Sequence, residues 1–584
     1  MKYVVRFFAV IGALVVLSAL VGGALAVVGK KSLPAGKLIL EVNLEQGVIE
    51  YAPDNPLADL VMGKKPRLNQ VIESLERAST DDRVVGLVGH VGQASMGIAQ
   101  IQELRDAVQA FRARGKRAVA FSETFGEVGP GTGAYYLATA FDEIAMQPSG
   151  DVGLTGLISE SPFIRGTLDL VAITPRLDHR YEYKNAMNMY TEKKFTPPHR
   201  EALAKVIGSL YGQVVRGIAQ GRGLPEDEVK ALIDRGPFLG QEAVTAKLVD
   251  RLAYRDEVFA RFKQQSGNAS VLYLAKYAEA ADKKGTGATI ALVHGVGAVT
   301  RGASEFNPTS GAVTMGSATV AGAIRAAAQD KDVKAILFRI DSPGGSYVAS
   351  DTIWREVAEA KRAGKPVIVS MGNVAGSGGY FIAMNADKIV AEPGTITGSI
   401  GVLGGKPLTE KAWEKIGITW DEVHFGKNAD MFTGLKDYSP AEAARFAAWL
   451  DRVYEDFTTK VAEGRKLSKD KVLQIARGRI WSGEDAKSLG LVDELGGYAV
   501  AIRLARAAAK ISADAPIQLK PFPAPKKPWQ QFLEEGPDSS ERGQSQVLVH
   551  IYESIQPVVR LGQDVGLLNR PGGVLSMPAM GEIR

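Results

Sequence analysis

The stretch Ala375-Gly-Ser-Gly-Gly-Tyr-Phe-Ile-Ala383 occurs a second time in altered form, as Pro130-Gly-Thr-Gly-Ala-Tyr-Tyr-Leu-Ala138. The same alignment carries Asp142-Glu-Ile onto Asp387-Lys-Ile. Self-similarity at a long, fixed spacing is the signature of a structural unit that occurs more than once. At 584 residues the chain is also longer than a single hydrophobic core usually supports. The sequence therefore predicts two copies of one domain.

Within each copy, short apolar runs that favour strands alternate with longer runs that favour helices. In the second copy, Ala335–Ile340 and Val367–Ser370 are predicted strands, and Ser317–Ala328 and Asp351–Ala363 are predicted helices. Strands that alternate with helices build βαβ units around a mostly parallel sheet. The predicted fold class is therefore α/β, with the same arrangement in both copies.

Composition suggests where the units begin and end. We place the first copy at residues 31–285 and the second at 286–510, with the run Lys283-Lys-Gly-Thr-Gly at the join. Residues 511–584 include a stretch rich in proline and charge, which is typical of a linker and tail.

Residues 1–30 form a separate segment. Lys2 and Arg6 precede an apolar run from Phe7 to Val28, which is long enough to cross ~30 Å of hydrocarbon as a helix. A cleavable signal peptide would have a shorter apolar stretch, although Ala24-Leu-Ala resembles a cleavage site. We expect an uncleaved, single-pass membrane anchor with the bulk of the chain on the extracytoplasmic side.

The charge and the metal-ligating residue types exclude several classes of function. A net charge of +5 is small for this length and argues against a nucleic-acid-binding surface. The absence of cysteine excludes disulfides, thiol nucleophiles and thiolate metal sites. The six histidines are scattered, and the spacing H-E-x-x-H does not occur. We expect neither a metal nor a cofactor, and no nucleic-acid partner.

Ser377 falls where a predicted strand turns into a predicted helix. A hydroxyl at such a position lies near the N–H groups of a helix N-terminus, which suits a nucleophile whose substrate develops an oxyanion. The hydrolase motif G-x-S-x-G is incomplete, because residue 375 is alanine. A small residue packed between glycines explains the pattern equally well, so this stretch alone leaves both interpretations open.

A second glycine-rich turn, Asp341-Ser-Pro-Gly-Gly-Ser, follows the predicted strand Ala335–Ile340. A Pro-Gly-Gly turn can direct backbone N–H groups into an open pocket. Gly344, Gly345 and Gly378 are therefore candidate oxyanion-hole donors, although Pro-Gly-Gly alone is only a turn.

A nucleophilic serine needs a base, and a lysine can serve if burial lowers its pKa toward neutrality. Lys184 lies among aromatic residues and methionines, in Tyr181-Glu-Tyr-Lys-Asn-Ala-Met-Asn-Met-Tyr. Most lysines are solvated, so this surrounding alone does not single out Lys184.

The chain resembles the signal peptide peptidase A family in its long tandem form. The resemblance is carried by the duplication, the anchor and four motifs, namely the Asp-Ser-Pro-Gly-Gly turn, Gly-Ser-Gly-Gly-Tyr, Pro393-Gly-Thr-Ile-Thr-Gly-Ser-Ile-Gly-Val402 and Tyr183-Lys-Asn-Ala186. The resemblance covers residues 1–510. It implies a Clp/crotonase-like fold with Ser377 as nucleophile, Lys184 as general base and Ser399 as the residue that orients the lysine.

The two copies differ at these positions. Thr132 aligns with Ser377, and Leu154 aligns with Ser399. The first copy is therefore expected to lack a working nucleophile and to supply the base. Lys427 aligns with Lys184 and is an alternative base.

The resemblance implies a serine endopeptidase that degrades cleaved signal peptides and similar apolar peptides at the membrane. It also implies a homotetramer, located in the inner membrane with its bulk in the periplasm. Two other functions stay open. One is a crotonase-like acyl-thioester enzyme, whose glycine turns would hold an enolate, and the other is an inactive membrane scaffold. Only a serine peptidase should react with a fluorophosphonate at Ser377.

Overall fold

The computed structural model of the chain describes residues 33–53, 58, 61–63, 65–92, 96–281, 287–524 and 575–576. Among these residues, no helix has the length and apolarity needed to cross a membrane. The predicted anchor at residues 1–30 lies outside the described part of the chain.

The first repeat is built on a six-stranded, fully parallel sheet. Its strands lie side by side in the order Arg251–Leu252, Glu143–Met146, Arg117–Ser122, Val84–His90, Leu38–Asn43 and Ser270–Tyr273. The central strands are almost entirely buried, as expected for parallel strands that helices cover on both faces.

The second repeat has the same order of six parallel strands, namely Glu494–Leu495, Lys388–Ala391, Val367–Gly376, Val333–Ser342, Ala288–Val296 and Ile517–Phe522. Two further strands, Ile396–Gly398 and Ile480–Ser482, extend the sheet from the end of Val367–Gly376. The predicted α/β class and the duplication of one unit are thus both present in the structure.

Helices surround both sheets. In the first repeat they are Leu68–Thr80, Ile98–Ala113, Thr132–Ala138, Arg165–Leu170, Asn188–Thr191, Pro197–Arg222, Glu226–Arg235, Gly240–Thr245, Arg255–Gln265 and Leu274–Ala281, with a 3₁₀ turn at Asn185–Met187. In the second repeat they are Ser317–Gln329, Tyr347–Arg362, Gly378–Ala383, Glu410–Lys415, Pro440–Arg465, Lys469–Ile475, Gly483–Ser488 and Tyr498–Ala508.

The longest helix of each repeat begins in the same way. Thr196 caps Pro197–Arg222, and Ser439 caps Pro440–Arg465, each with its side-chain oxygen accepting a backbone N–H of the first turn. Proline occupies the first helical position in both, where its missing N–H has no intrahelical partner to lose.

The last strand of the second sheet, Ile517–Phe522, lies beyond the predicted end of the repeat at residue 510. It pairs with Ala288–Val296 as the edge of the sheet. An edge strand tolerates proline, and Pro521 is part of it. The proline content that suggested a linker is therefore compatible with a strand here.

The two repeats pack directly against each other. Strand Thr174–His179 of the first repeat pairs antiparallel with Leu403–Leu408 of the second. The largest hydrophobic cluster contains side chains of both repeats, with Tyr136 and Leu210 from the first and Leu337 and Ile368 from the second. The repeats therefore share a core, and side chains of one can be held rigidly against the other.

Candidate active site

Ser377 lies at the end of strand Val367–Gly376, immediately before helix Gly378–Ala383. Its backbone has a φ of 52°, which is uncommon for a residue other than glycine and costs conformational energy. The N–H of Ser377 donates to the carbonyl oxygen of Gly398 at 2.8 Å, which helps to hold this turn. The side chain is fully buried.

Lys184, from the first repeat, extends to Ser377 of the second. Its Nζ lies 2.7 Å from Oγ of Ser377. The same nitrogen lies 3.0 Å from the carbonyl oxygen of Ser399 and 3.1 Å from its Oγ. The structure therefore brings together the predicted nucleophile, the predicted base and the predicted orienting serine.

The environment of Lys184 favours a neutral amine. The side chain has no solvent exposure, and burial holds its pKa well below the ordinary value of 10.5. Its hydrogen-bond partners at Nζ are two hydroxyls and a carbonyl, with no carboxylate among them. Desolvation without a compensating negative charge is the arrangement that lowers the pKa of a lysine.

Two glycines of the second repeat make room for this lysine. A Cβ atom on Gly478 would lie 2.5 Å from the backbone nitrogen of Lys184, and one on Gly401 would lie 3.2 Å from its Cδ. Gly478 also has a φ of +82°, a conformation that suits glycine. The sequence alone does not single out Gly478, one of 64 glycines in the chain.

Contacts with the second repeat fix the segment that carries Lys184 on both sides of this residue. Besides the strand pair with Leu403–Leu408, the guanidinium of Arg180 donates to the carbonyl oxygen of Ala447 at 2.7 Å and pairs with Asp451. The N–H of Tyr183 donates to the carbonyl oxygen of Arg477 at 3.2 Å. These contacts all cross from one repeat to the other, so the position of Lys184 depends on how the repeats dock.

The three predicted oxyanion donors lie next to one another. A Cβ atom on Gly378 would be 3.0 Å from the nitrogen of Gly345 and 3.2 Å from Cα of Gly344. The N–H of Gly344 already donates to Oγ of Ser342 at 3.2 Å, which makes it the weakest candidate of the three.

Gly344–Gly345 is also a short strand of a separate four-stranded sheet. It pairs in parallel with Ala298–Thr300 and antiparallel with Leu575–Ser576, a segment near the C-terminus of the chain. The chain's own segment Leu575–Ser576 therefore occupies the side of this strand opposite Ala298–Thr300.

At the equivalent site of the first repeat, the described residues include no pair like Ser377 and Lys184. Thr132 is buried, and its Oγ1 accepts the N–H groups of Thr155 and Gly156 at 3.3 and 3.2 Å. Leu154 is fully buried. Lys427, the alternative base, is exposed at the surface, and the lysine that contacts Ser377 is Lys184.

Two groups of described side chains have potential metal-ligating atoms within 4.8 Å of one another. They are Glu45, His90 and Glu123, and Glu422, His424 and Asp430. Most of their members are exposed or partly exposed, and neither group includes a residue of the Ser377 site.

Several proteins with similar sequences are peptidases. The model of peptidase family S49 matches residues 110–269 and 359–512, one segment in each repeat. A chloroplastic serine protease, SPPA of Arabidopsis thaliana, is 32% identical over 468 residues, which cover 77% of this chain and 67% of the relative. Protease 4 of Salmonella typhi is 33% identical over 462 residues, which cover 76% of this chain and 72% of the relative.

Among solved structures, ClpP1 from Listeria monocytogenes aligns with 35% of this chain and 91% of its own at 16% identity and a TM-score of 0.22.

Proposed function

Because the chain belongs to peptidase family S49, we propose that it cleaves peptide bonds with a dyad of Ser377 and Lys184. The family makes the chain a serine-type peptidase. The observation that supports this assignment is the distance of 2.7 Å between Oγ of Ser377 and Nζ of Lys184, which is fully buried.

In this mechanism the neutral amine of Lys184 takes the proton of the Ser377 hydroxyl as Oγ attacks the peptide carbonyl carbon. The C–O bond forms, and the carbonyl π electrons move to the oxygen. When the tetrahedral intermediate collapses, the C–N bond breaks and the leaving amine takes the proton from the Lys184 ammonium. Water, deprotonated by the same lysine, then hydrolyses the acyl ester and regenerates Ser377.

Ser399 orients the base. Its Oγ and carbonyl oxygen both contact Nζ, so the amine hydrogens point toward Ser399 and the lone pair toward Ser377. The N–H groups of Gly345 and Gly378 stabilise the oxyanion, a contribution worth about 10²–10³ in rate for a single donor.

The substrates in this proposal are cleaved signal peptides and similar apolar peptides. The strand pair between Gly344–Gly345 and Leu575–Ser576 supports a substrate that binds as an extended, antiparallel strand in place of Leu575–Ser576. Backbone hydrogen bonds supply much of the affinity in this mode of recognition and are indifferent to sequence. Broad activity on unfolded peptides is consistent with it.

Residues 1–30 anchor the enzyme in the inner membrane in this proposal, on the strength of the apolar run Phe7–Val28. The bulk of the chain, with one repeat at 31–285 and the other from 286 through the edge strand Ile517–Phe522, is then periplasmic. A homotetramer accounts for exposed apolar side chains between Glu410 and Gly434 of the second repeat. Val423 and Phe425 are 90% and 94% exposed, and Trp420 is 57% exposed.

The test is hydrolysis of a fluorogenic apolar peptide by the full-length protein in detergent, with fluorophosphonate labelling in parallel. Ser377→Ala and Lys184→Ala are expected to abolish hydrolysis, whereas Lys427→Ala, a matched change at an exposed lysine, should retain it. Labelled peptides should map to Ser377. If Lys427→Ala is inactive and Lys184→Ala is not, the base assignment is wrong. An unlabelled, inactive wild type would favour a scaffold or thioester chemistry.

A further inference from the structure

A buried arginine joins the two repeats behind the catalytic residues. Arg339, on strand Val333–Ser342 of the second repeat, has no solvent exposure. Its Nε donates to Oε2 of Glu50 at 3.0 Å and its Nη2 to Oε1 at 2.9 Å, while the carboxylate of Glu103 lies 2.5 Å from Nη2. Both glutamates belong to the first repeat, so this ion network crosses the contact between the repeats.

The partners of Arg339 are themselves fixed. The amide of Gln100 donates to Glu50 at 3.1 Å, and the backbone N–H of Tyr498 donates to Glu103 at 2.9 Å. The guanidinium lies over the ring of Tyr498, 4.4 Å from its centroid. Every member of this network is held by a further contact, which favours one docking geometry over slightly shifted alternatives.

Arg339 also contacts the strand that leads to the nucleophile. Its Nη1 donates to Oγ of Ser370 at 2.8 Å and to the carbonyl oxygen of Met371 at 3.3 Å. Both residues lie on Val367–Gly376, which ends directly before Ser377.

The strand that carries Arg339 continues into the turn with the candidate oxyanion donors. Asp341, two residues further on, accepts the N–H of Val374 at 2.9 Å and so links this turn to the nucleophile strand. Arg339 therefore lies on the strand that leads to Gly345, and its side chain contacts the strand that leads to Ser377. The same side chain binds two carboxylates of the repeat that supplies Lys184.

We infer that Arg339 is a positioning residue, which fixes the strands carrying Ser377 and the oxyanion donors against the repeat that carries Lys184. The inference rests on the proposed Ser377–Lys184 mechanism. The two groups of the dyad come from different repeats, so a small change in docking alters their separation directly. A misplacement of 1 Å can lower a catalytic rate by about 100-fold.

The first repeat provides a matched control. Arg105 is also buried, and its guanidinium lies 4.0 Å from the centroid of the Tyr136 ring. It donates to Oγ1 of Thr139 at 2.7 Å and to the carbonyl oxygen of Gly217 at 3.1 Å. These partners all lie within the first repeat, so Arg105→Met removes a buried cation that has no hydrogen bond of its own to the described residues of the second repeat.

The experiment compares Arg339→Met, Arg339→Lys and Arg105→Met in the full-length protein, each assayed well below its own melting temperature. Arg339→Met is expected to lower kcat about 100-fold with little change in KM, and to slow fluorophosphonate labelling of Ser377 in proportion. Arg339→Lys, which keeps a cation between the glutamates, should recover at least about 10-fold of the lost kcat. Arg105→Met should lose thermal stability and keep its kcat.

A second measurement does not depend on activity. Because the chain has no cysteine, spin labels can be attached at Lys263→Cys and Arg355→Cys, two exposed positions on helices of different repeats. The distribution of distances between the labels should widen or shift in Arg339→Met and stay unchanged in Arg105→Met. If Arg339→Met is too unstable to purify, Glu50→Gln and Glu103→Gln replace it, with the same expected direction.

Equal kcat losses in Arg339→Met and Arg105→Met, or an unchanged label distance with wild-type kcat in Arg339→Met, would overturn the inference. Failure of the proposed function has a different signature, because wild-type protein would then show neither hydrolysis nor labelling at Ser377, whatever the label distances.

Discussion

Gly478 of the second repeat packs so closely against Lys184 of the first that a Cβ atom at position 478 would lie 2.6 Å from the Lys184 Cα. The lysine that contacts Ser377 is therefore enclosed by the backbone of the other repeat. The lysine side chain has no solvent exposure. Because Gly478 and Lys184 belong to different repeats, the position of the base depends on the contact between the repeats.

Gly478→Ala should inactivate the enzyme by displacing Lys184. The added methyl group cannot fit without moving the lysine backbone, so we expect kcat/KM to fall about 100-fold or more. The left-handed backbone adds roughly 1–2 kcal/mol of strain. Gly364→Ala is the control, because Gly364 has a similar φ of +78° with nothing within 4 Å of its added Cβ. That variant should be destabilised by strain alone and remain active, as measured by thermal unfolding and peptide hydrolysis.

The activity should rise with pH through a midpoint well below the ordinary lysine value of 10.5, because burial lowers the pKa of Lys184 and only the neutral amine can accept the serine proton. In a profile of kcat/KM against pH, the fall in activity on the acidic side reports the pKa of Lys184. A midpoint near 10.5 would show that Lys184 is hydrated in solution.

The free energy of unfolding should also depend on pH because of Lys184. The unfolded chain keeps the Lys184 proton up to about pH 10.5, whereas the folded chain releases it at lower pH. Stability therefore rises with pH between the folded and the unfolded pKa.

Much of the fold follows from local sequence. The apolar runs Ala335–Ile340 and Val367–Ser370 lie within the observed strands, and the predicted helix Ser317–Ala328 differs from the observed one by a single residue. These patterns are strong because parallel strands buried on both faces need continuous apolar runs. The strand Ile517–Phe522 was predicted as linker, since its pairing depends on Ala288–Val296, far away in the chain.

The site was less accessible from the sequence. The glycines around Ser377 mark a turn that could hold a nucleophile, but Lys184 packs against Gly401 and Gly478, which lie more than 200 positions further along. Only the family resemblance pointed to this lysine. Arg339 was missed altogether, although a charged residue inside the apolar run Ala335–Ile340 is the kind of signal that indicates a buried ion network.

Glu392→Gln should stabilise the protein at alkaline pH. Glu392 is almost fully buried, burial raises its pKa well above 4.5, and the neighbouring carboxyls of Asp106 and Glu103 act in the same direction. Its Oε1 has no hydrogen-bond partner among the described residues.

When folding raises the pKa of a carboxyl, the protein has its full stability at pH values below the unfolded pKa of that group. The protein loses stability as the pH rises from there toward the folded pKa. We therefore expect Glu392→Gln to match the wild type at pH 4 and to exceed it by about 1 kcal/mol or more at pH 8. Denaturant unfolding at the two pH values measures this, with Glu410→Gln at an exposed position as control. Equal stability at pH 8 would mean that the folded protein accommodates the charge at position 392.

Removal of the hydroxyl that takes the place of the nucleophile in the first repeat should affect folding but not catalysis. Oγ1 of Thr132 accepts two backbone N–H groups, and valine has the same shape without an acceptor. Thr132→Val should therefore lose about 1–3 kcal/mol of stability, since buried donors are left unpaired. Hydrolysis and fluorophosphonate labelling at Ser377 should be unchanged, the reverse of Ser377→Ala. A fall in labelling at Ser377 without a matching loss of stability would mean that the first repeat contributes more than Lys184 to the reaction.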